Sequence, residues 1–580
     1  MVCISCFYGT KSGDRRRSTN QECRTPAERN AKIFCLLFFK WITTITNKSR
    51  SSRLKMKLLN TFVLSLLFQV ASAERWYSLG NYIEEEGTND LAGTAVANSQ
   101  DGSIIAVAAP HYTPVDEDGE PTGLSRDGRV TIYSFDPDTD AWSKLGNTIV
   151  GKKNEQLGTS LDMLADGKTL IVGTKAYNEN KREAGSVQVY SLLEGPGDAI
   201  WTQKGQTLYG ANSFDYFGAS VGIADSGKII AVGYPGHDTD DKNDVGAVQA
   251  YEYKDDSGKW EAVDNAPPMV GTNAYDRFGS SLSLSEIGSI AIGAPYANDA
   301  KGVVHMYRYN ATEKAWDTEG EQIAGKNAGD KCGSSVAISE QGLHVVIGSP
   351  HWKHEDKKQS GAVIVLQYSY ETLQWEQQGN ELVGGEGDEF GTSVDISDDG
   401  MGIAVGAPFG SGVPPSNKIE AGHVSVYHYM SQSGGGKKWT LRDVKIEGKK
   451  EYSHQGSSVA VSGDGDQVMG GAPQEGYASV YMLAETAPPT MAPTTESERK
   501  EKRPGHRGKK GASIKGRSGF ATFILVVFSI GMIGVAGFFA VKGVIYYRNK
   551  RSTMAAFQPT PNTDLELRNI DNEDESGGVI

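Results

Sequence analysis

Apolar and small residues alternate along Arg277-Phe278-Gly279-Ser280-Ser281-Leu282-Ser283-Leu284-Ser285, the pattern of a strand with one buried face. Glu286-Ile287-Gly288 reads as a turn, and Ser289-Ile290-Ala291-Ile292-Gly293 as a second strand that Pro295 ends. A loop from Tyr296 to Lys301 leads to a third apolar stretch, Gly302 to Tyr309. Asn310 to Lys314 then turns the chain into a fourth, which carries Trp316. The second strands are continuously apolar, as in Ile229-Ile230-Ala231-Val232 and Val345-Val346-Ile347, and this predicts burial on both faces. One unit is therefore four short antiparallel strands joined by turn residues, with no helix.

The unit recurs along the chain. Trp76, Trp142, Trp201, Trp260, Trp316, Trp375 and Trp439 stand at nearly regular intervals. Each is followed by a small-residue run such as Leu157-Gly158-Thr159-Ser160, Phe217-Gly218-Ala219-Ser220 or Phe390-Gly391-Thr392-Ser393, and then by Gly293-Ala294-Pro295, Gly406-Ala407-Pro408 or a softer version of it. A period of roughly 60 residues repeated seven times predicts an all-β, seven-bladed β-propeller; an open solenoid or a pair of sandwiches is the alternative. The phase predicts how the ring closes. No tryptophan strand follows Tyr481, whereas Trp76-Tyr77-Ser78-Leu79-Gly80-Asn81 matches Trp142-Ser143-Lys144-Leu145-Gly146-Asn147 with no unit of its own. The first strand is therefore expected to complete the last blade and remove two exposed edges.

The Phe-Gly and Gly-Ala-Pro signatures resemble those of the FG-GAP repeat family, and residues 76–482 are similar to the β-propeller at the head of integrin α chains. The resemblance implies an extracellular propeller that binds a protein or glycan on one rim. In several integrin repeats an Asp-rich loop between the Phe-Gly and Gly-Ala-Pro strands holds Ca²⁺. Here that connection is short: Ser99-Gln100-Asp101-Gly102, Ala165-Asp166-Gly167, Ser397-Asp398-Asp399-Gly400 and Ser462-Gly463-Asp464-Gly465. Two-residue hairpins select Asp-Gly on geometry alone, and a Ca²⁺ cage needs about six ligands, so no cofactor is expected at these turns. The chain also lacks the leg domains of an integrin α chain, which argues against an integrin-type β partner.

Around the repeats the chain divides further. Residues 56–73, with a basic start, the apolar run Leu58 to Val70 and Ala71-Ser72-Ala73, read as a signal peptide cleaved after Ala73. Residues 1–55 are then an upstream extension outside the mature protein, translation starting at Met56; the alternative is a retained anchor at Ile33 to Thr46. Residues 74–484 are the propeller and 485–518 a stalk rich in Pro and Thr, then basic. Residues 519–547 hold an uncharged run, Phe520 to Val541, long enough to span a bilayer, and 548–580 form an acidic cytoplasmic tail. The expected protein is a single-pass, type I plasma-membrane protein with its propeller outside. The endomembrane lumen is the alternative site.

Candidate chemistry is sparse. The full chain has net charge −14, and no nucleic-acid partner is expected. After processing only Cys332 remains of the cysteines, in the register of Phe278 and Phe390, where it reads as a buried, reduced substitute. Asn310-Ala311-Thr312 is the candidate N-glycosylation site. No catalytic motif emerges, so an enzyme is not expected. Loops joining second to third strands vary most in length and are the expected binding rim. Asp116, Asp118, Asp238, Asp240, Asp241, His351, Trp352 and His354 are the candidate ligand contacts, with Trp352 expected as an exposed stacking surface. Asp116, Asp118, Glu120, Asp238, Asp240 and Asp244 are the candidate ligands should Ca²⁺ bridge protein to ligand. The functional reading is adhesion or recognition of an extracellular protein or glycan. The alternatives are a structural protein of the secretory pathway or cell wall that self-associates into homo-oligomers, and a glycan- or phospholipid-active enzyme.

Overall fold

The structure, a computed structural model, describes residues 75–484 apart from 85–89, 116–124, 176–180, 195–198, 225–226, 264–266, 311, 314, 354–358, 413–417 and 433–434. The signal peptide with Ala73, the stalk, the expected span 519–547 and the tail lie outside the described residues. Among the described residues no helix is long and apolar enough to cross a membrane. Their one helical segment is the turn Ala297–Ala300, in which Asn298 and Asp299 take left-handed angles.

Seven antiparallel sheets form a β-propeller. In blade 3 the strands are Ser220–Ile223, Ile229–Tyr234, Ala247–Lys254 and Lys259–Ala262, running from the axis outward. The second strands are almost wholly buried, as their continuous apolar sequence predicts. Two features differ from the sequence expectation. The outer strand is broken: after Lys259–Ala262 a two-residue piece, Met269–Val270, returns to the same edge of Ala247–Lys254. In five of the other blades a glycine such as Gly146 or Gly320, in the left-handed region, sits at this break, and in blade 6 Asp443 takes the same conformation. The inner strand of blade 4 is also only Ser281–Leu284, because Arg277 and Gly279 take positive φ and fold the preceding residues into a loop.

The ring closes as the repeat phase predicts. Arg75–Ser78 pairs antiparallel with Tyr477–Ala484, with Trp76 opposite Leu483, and completes blade 7. The tryptophans act as staples between blades. The indole Nε1 of Trp201 donates to the Leu145 carbonyl of the preceding blade at 2.9 Å, Trp260 to Lys204 at 2.8 Å, Trp439 to Gln378 at 2.9 Å, and Trp76 to Arg442 across the closure at 2.8 Å. A buried indole with its N–H satisfied fixes both position and rotation of the neighbouring blade.

The inner strands enclose an axial channel of ≈ 290 Å³. Their free edges face the axis, and three side chains cap the exposed amides. Asp162 accepts from the Ile223 amide of the next blade at 2.9 Å, Asp395 from Val461 at 2.7 Å and Ser283 from Ile338 at 3.1 Å. Burial pushes the Asp162 carboxyl up to about 6 and Asp395 to about 7, although both keep some surface in the channel, where water offsets part of that burial.

Candidate functional site

Antiparallel pairing sorts the connections onto two faces. The tight hairpins between first and second strands, and those between third and fourth, share one face. The longer loops between second and third strands, and the links from blade to blade, share the other. Because Arg75 is paired with Ala484, at the hairpin end of the last blade, the described chain enters and leaves on the hairpin face. The loop face lies opposite.

Each link into a blade repeats one arrangement that the sequence reading passed over. A buried polar residue, Asp90, Glu155, Asp215, Asp276, Asp330, Asp388 or Ser453, stands three positions before the first glycine of each repeat. In blades 3 to 6 its carboxylate holds the amide three residues earlier: Asp215 accepts from Asn212 at 2.8 Å, Asp276 from Asn273 at 3.1 Å, Asp330 from Asn327 at 2.8 Å and Asp388 from Gly385 at 2.7 Å. The next residue is in the left-handed region in every blade: Leu91, Gln156, Tyr216, Arg277, Lys331, Glu389 and His454. Glycine would take that conformation without strain, which costs an L-residue about 1–2 kcal/mol.

The strain is offset by hydrogen bonds to the preceding blade. The Tyr216 amide donates to the Glu183 carbonyl at 3.2 Å, Arg277 to Asp244 at 3.1 Å and Lys331 to Ala300 at 2.9 Å. Glu183, Asp244 and Ala300 are themselves left-handed, as are Gln359 and Glu420 in later blades. The same bond runs from Gln156 to Arg126, Glu389 to Gln359 and His454 to Glu420, so two loops are woven together at the six boundaries that lead into blades 2 to 7. All seven side chains, from Leu91 to His454, are at least partly exposed, and they differ in charge, size and aromaticity while the residues around them repeat. Exposed aromatics surround them: Phe214, Tyr275, Tyr296, Phe409 and Tyr452. Phe214, Tyr275 and Tyr452 are also left-handed, at a position that blades 5 and 6 fill with Gly329 and Gly387. Cations lie against two of these rings, with Arg182 5.4 Å from the Phe214 centroid, Arg277 5.0 Å from Tyr296 and Lys331 5.2 Å from Tyr296.

The sequence-predicted rim residues divide. Asp116, Asp118, Glu120 and His354 lie outside the described residues. Asp238, Asp240 and Asp241 are exposed on the loop face, in a tight turn in which Asp238 accepts from the Asp244 amide at 2.7 Å and Asp241 from the Thr239 hydroxyl at 3.0 Å. Asp244 instead faces Arg277, at 3.5 Å. Among the described residues, no three carboxylate, imidazole or thiolate groups converge as a metal ion would require. At the hairpins, Asp101, Asp399 and Asp464 are engaged by their own turns, each accepting from the serine two residues earlier at 2.7 Å.

His351 is half-buried, with Nε2 3.8 Å from Glu389, and burial followed by the Lys331 charge holds its pKa below the ordinary value. Trp352 is not the exposed platform expected: it is 9% exposed, with the Lys326 ammonium 6.0 Å from the ring centroid. A tryptophan outside the repeat register is as easily a plug beneath a loop as a surface anchor, and sequence alone does not separate the two. Asn310 is in a third-to-fourth strand hairpin, its Nδ2 donating to Asp317 at 3.0 Å. Cys332 is 2% exposed in the core between blades 4 and 5, and burial pushes its thiol up to about 11.

In comparison with known proteins, the chain matches no protein-family model and no curated protein sequence. What stands is a seven-bladed β-propeller, a fold that suits ligand binding, with a variable face on a repeated frame.

Proposed function

We propose that this chain is a cell-surface recognition protein, an integrin α-like FG-GAP propeller that binds an extracellular protein or glycan with its loop face. The observation that carries this reading is the ring of seven left-handed residues, from Leu91 to His454, whose side chains vary while their supporting turns repeat. Strain kept at a functional position where glycine would relieve it is a sign that the side chain is needed. The chain's entry and exit on the hairpin face support the same reading. The exposed aromatics of the loop face supply contact area at low entropic cost.

The test is a glycan and cell-surface-protein array probed with the full-length protein and with two variant sets. Tyr275→Ala with Tyr452→Ala alters the loop face; Tyr370→Ala with Leu373→Ala alters the hairpin face, where both residues are exposed. The reading requires a ligand that the first set loses and the second keeps. Defined homo-oligomers with no ligand on the array would favour a structural protein instead.

A further inference from the structure

The left-handed pairs across blade boundaries show where the loop face carries uncompensated positive charge. Arg277 is paired through its backbone with Asp244, and the side chains follow, Nη2 lying 3.5 Å from the carboxylate. His454 is paired in the same register with Glu420, Nε2 3.5 Å from Oε2. Lys331 occupies that register in blade 5, but its partner across the boundary is Ala300. The acid that answers the cation at the other two boundaries is missing at this one. No carboxylate lies within 4 Å of the Lys331 ammonium among the described residues; its charge acts on Glu389 and on His351, which lie 3.8 Å from each other.

The ammonium is not left to wander. It lies 5.2 Å from the centroid of the exposed Tyr296 ring, and the Arg277 guanidinium lies 5.0 Å from the same ring. One aromatic thus holds two cations from adjacent blades, on backbones already fixed by inter-blade hydrogen bonds. Exposed Tyr275 stands two residues before Arg277. Two preorganised cations, of which Lys331 has no acid within 4 Å while Arg277 shares its charge with Asp244, stand beside exposed aromatic faces and match an anionic sugar: the charges take a sulfate or carboxylate group, and the rings take the apolar face of the pyranose.

We infer that the boundary of blades 4 and 5 on the loop face, built by Arg277, Tyr296 and Lys331, is a subsite for an anionic glycan bearing sulfate or uronate groups. This rests on the loop face being the binding face, and names the ligand class it takes. An acidic peptide lacks the ring-stacking surface and is the competing outcome.

The probe is a sulfated oligosaccharide, with its unsulfated counterpart and an acidic peptide alongside, titrated against the full-length protein. Because residues 499–517 are basic and would bind sulfate without specificity, the titrations are repeated with the Lys and Arg residues of that run replaced by Gln. Arg277→Gln and Lys331→Gln each place in the turn a residue type that Gln156 shows it accepts. Each is expected to weaken sulfated-glycan binding roughly tenfold or more, with binding falling as salt rises. The decisive variant is Ala300→Asp. It removes no cation and restores the acid found at Asp244 and Glu420, so it should weaken binding while leaving the melting temperature near wild type. Binding unchanged in all three variants, or equal binding of the unsulfated sugar or the acidic peptide, overturns the inference while leaving a loop-face ligand intact. Failure of the full-length protein to bind any glycan or protein overturns the broader reading as well.

Discussion

The Ser458 hydroxyl donates to the Gly93 carbonyl at 2.8 Å, joining residues 365 apart across the closure of the ring. The same bond recurs from Ser160 to Gly218, Ser220 to Gly279, Ser281 to Gly333 and Ser335 to Gly391 at 2.8 Å, and from Ser393 to Gly456 at 2.9 Å. It explains both halves of the repeat signature. The serine opens the inner strand, and the glycine it reaches must bring its carbonyl close to a second-strand glycine. A Cβ on Gly471 would stand 2.0 Å from the Gly93 oxygen and 2.5 Å from the Ser458 hydroxyl. Blade 1 alone has Ala95 in place of the serine and Ala108 in place of the second-strand glycine, a methyl where the others hold a hydroxyl.

Ser458→Ala is therefore expected to cost about 1 kcal/mol, the net worth of one hydrogen bond. Gly471→Ala should cost more, about 1–3 kcal/mol from overpacking. The pair together imitates blade 1, so the double variant should be less destabilised than the sum of the singles. Chemical denaturation of all four proteins gives the coupling; strict additivity would separate the two positions and refute the account.

Removing residues 75–84 should open the ring. It takes away the partner of Tyr477–Ala484 and the Trp76 staple on Arg442, leaving an unpaired edge that invites self-association. A lower melting temperature and concentration-dependent aggregation are expected, measured by thermal unfolding and light scattering. Wild-type stability in the truncated protein would mean that the strand decorates the ring without closing it.

Stability should depend on pH through the channel carboxylates. Asp395 titrates near 7 in the folded protein against an ordinary value of 3.8, mainly because burial disfavours the charged form. Its contribution is fully present below about pH 4 and is lost as pH rises through 7. Buried His423 acts in the opposite direction: its pKa is held down to about 3 by burial and then by Lys445, so its contribution is present above 6.5 and falls as pH drops. Asp395→Ala, which copies Ala97, Ala337 and Ala460 at the same register, should thus gain relative to wild type between pH 5 and pH 8. Melting curves at the two pH values check this, and an unchanged difference would contradict it.

Cys332 should be inert in the native state. A thiol 2% exposed and pushed up to about 11 offers little thiolate at pH 8. Iodoacetamide labelling followed by mass spectrometry should modify it only after denaturation. Rapid native labelling would show that blade 5 opens locally.

The propeller was legible in the sequence because its signals are periodic: Trp201, Trp260 and Trp439 mark the outer strands, and Gly218, Gly279 and Gly391 the close approaches of the inner ones. Closure by Trp76 was legible from phase alone. The broken outer strand was not, since nothing at Lys204 to Leu208 says that the second piece returns to the same edge. The ring from Leu91 to His454 was also missed. An alternating pattern such as Arg277-Phe278-Gly279-Ser280 looks like strand until backbone angles are known, and a position that varies among repeats looks like noise. Its signal was present in the register, an acid or serine three residues before each glycine. Trp352 shows the converse, a conspicuous residue whose burial only packing reveals.

The most direct test of the account is the comparison of faces. Full-length protein carrying Tyr275→Ala with Tyr452→Ala, and full-length protein carrying Tyr370→Ala with Leu373→Ala, are each measured against the strongest ligand found on the array. The account predicts at least a tenfold loss of affinity for the first and none for the second, at unchanged melting temperature. Equal affinities, or loss confined to the hairpin-face variant, would contradict it.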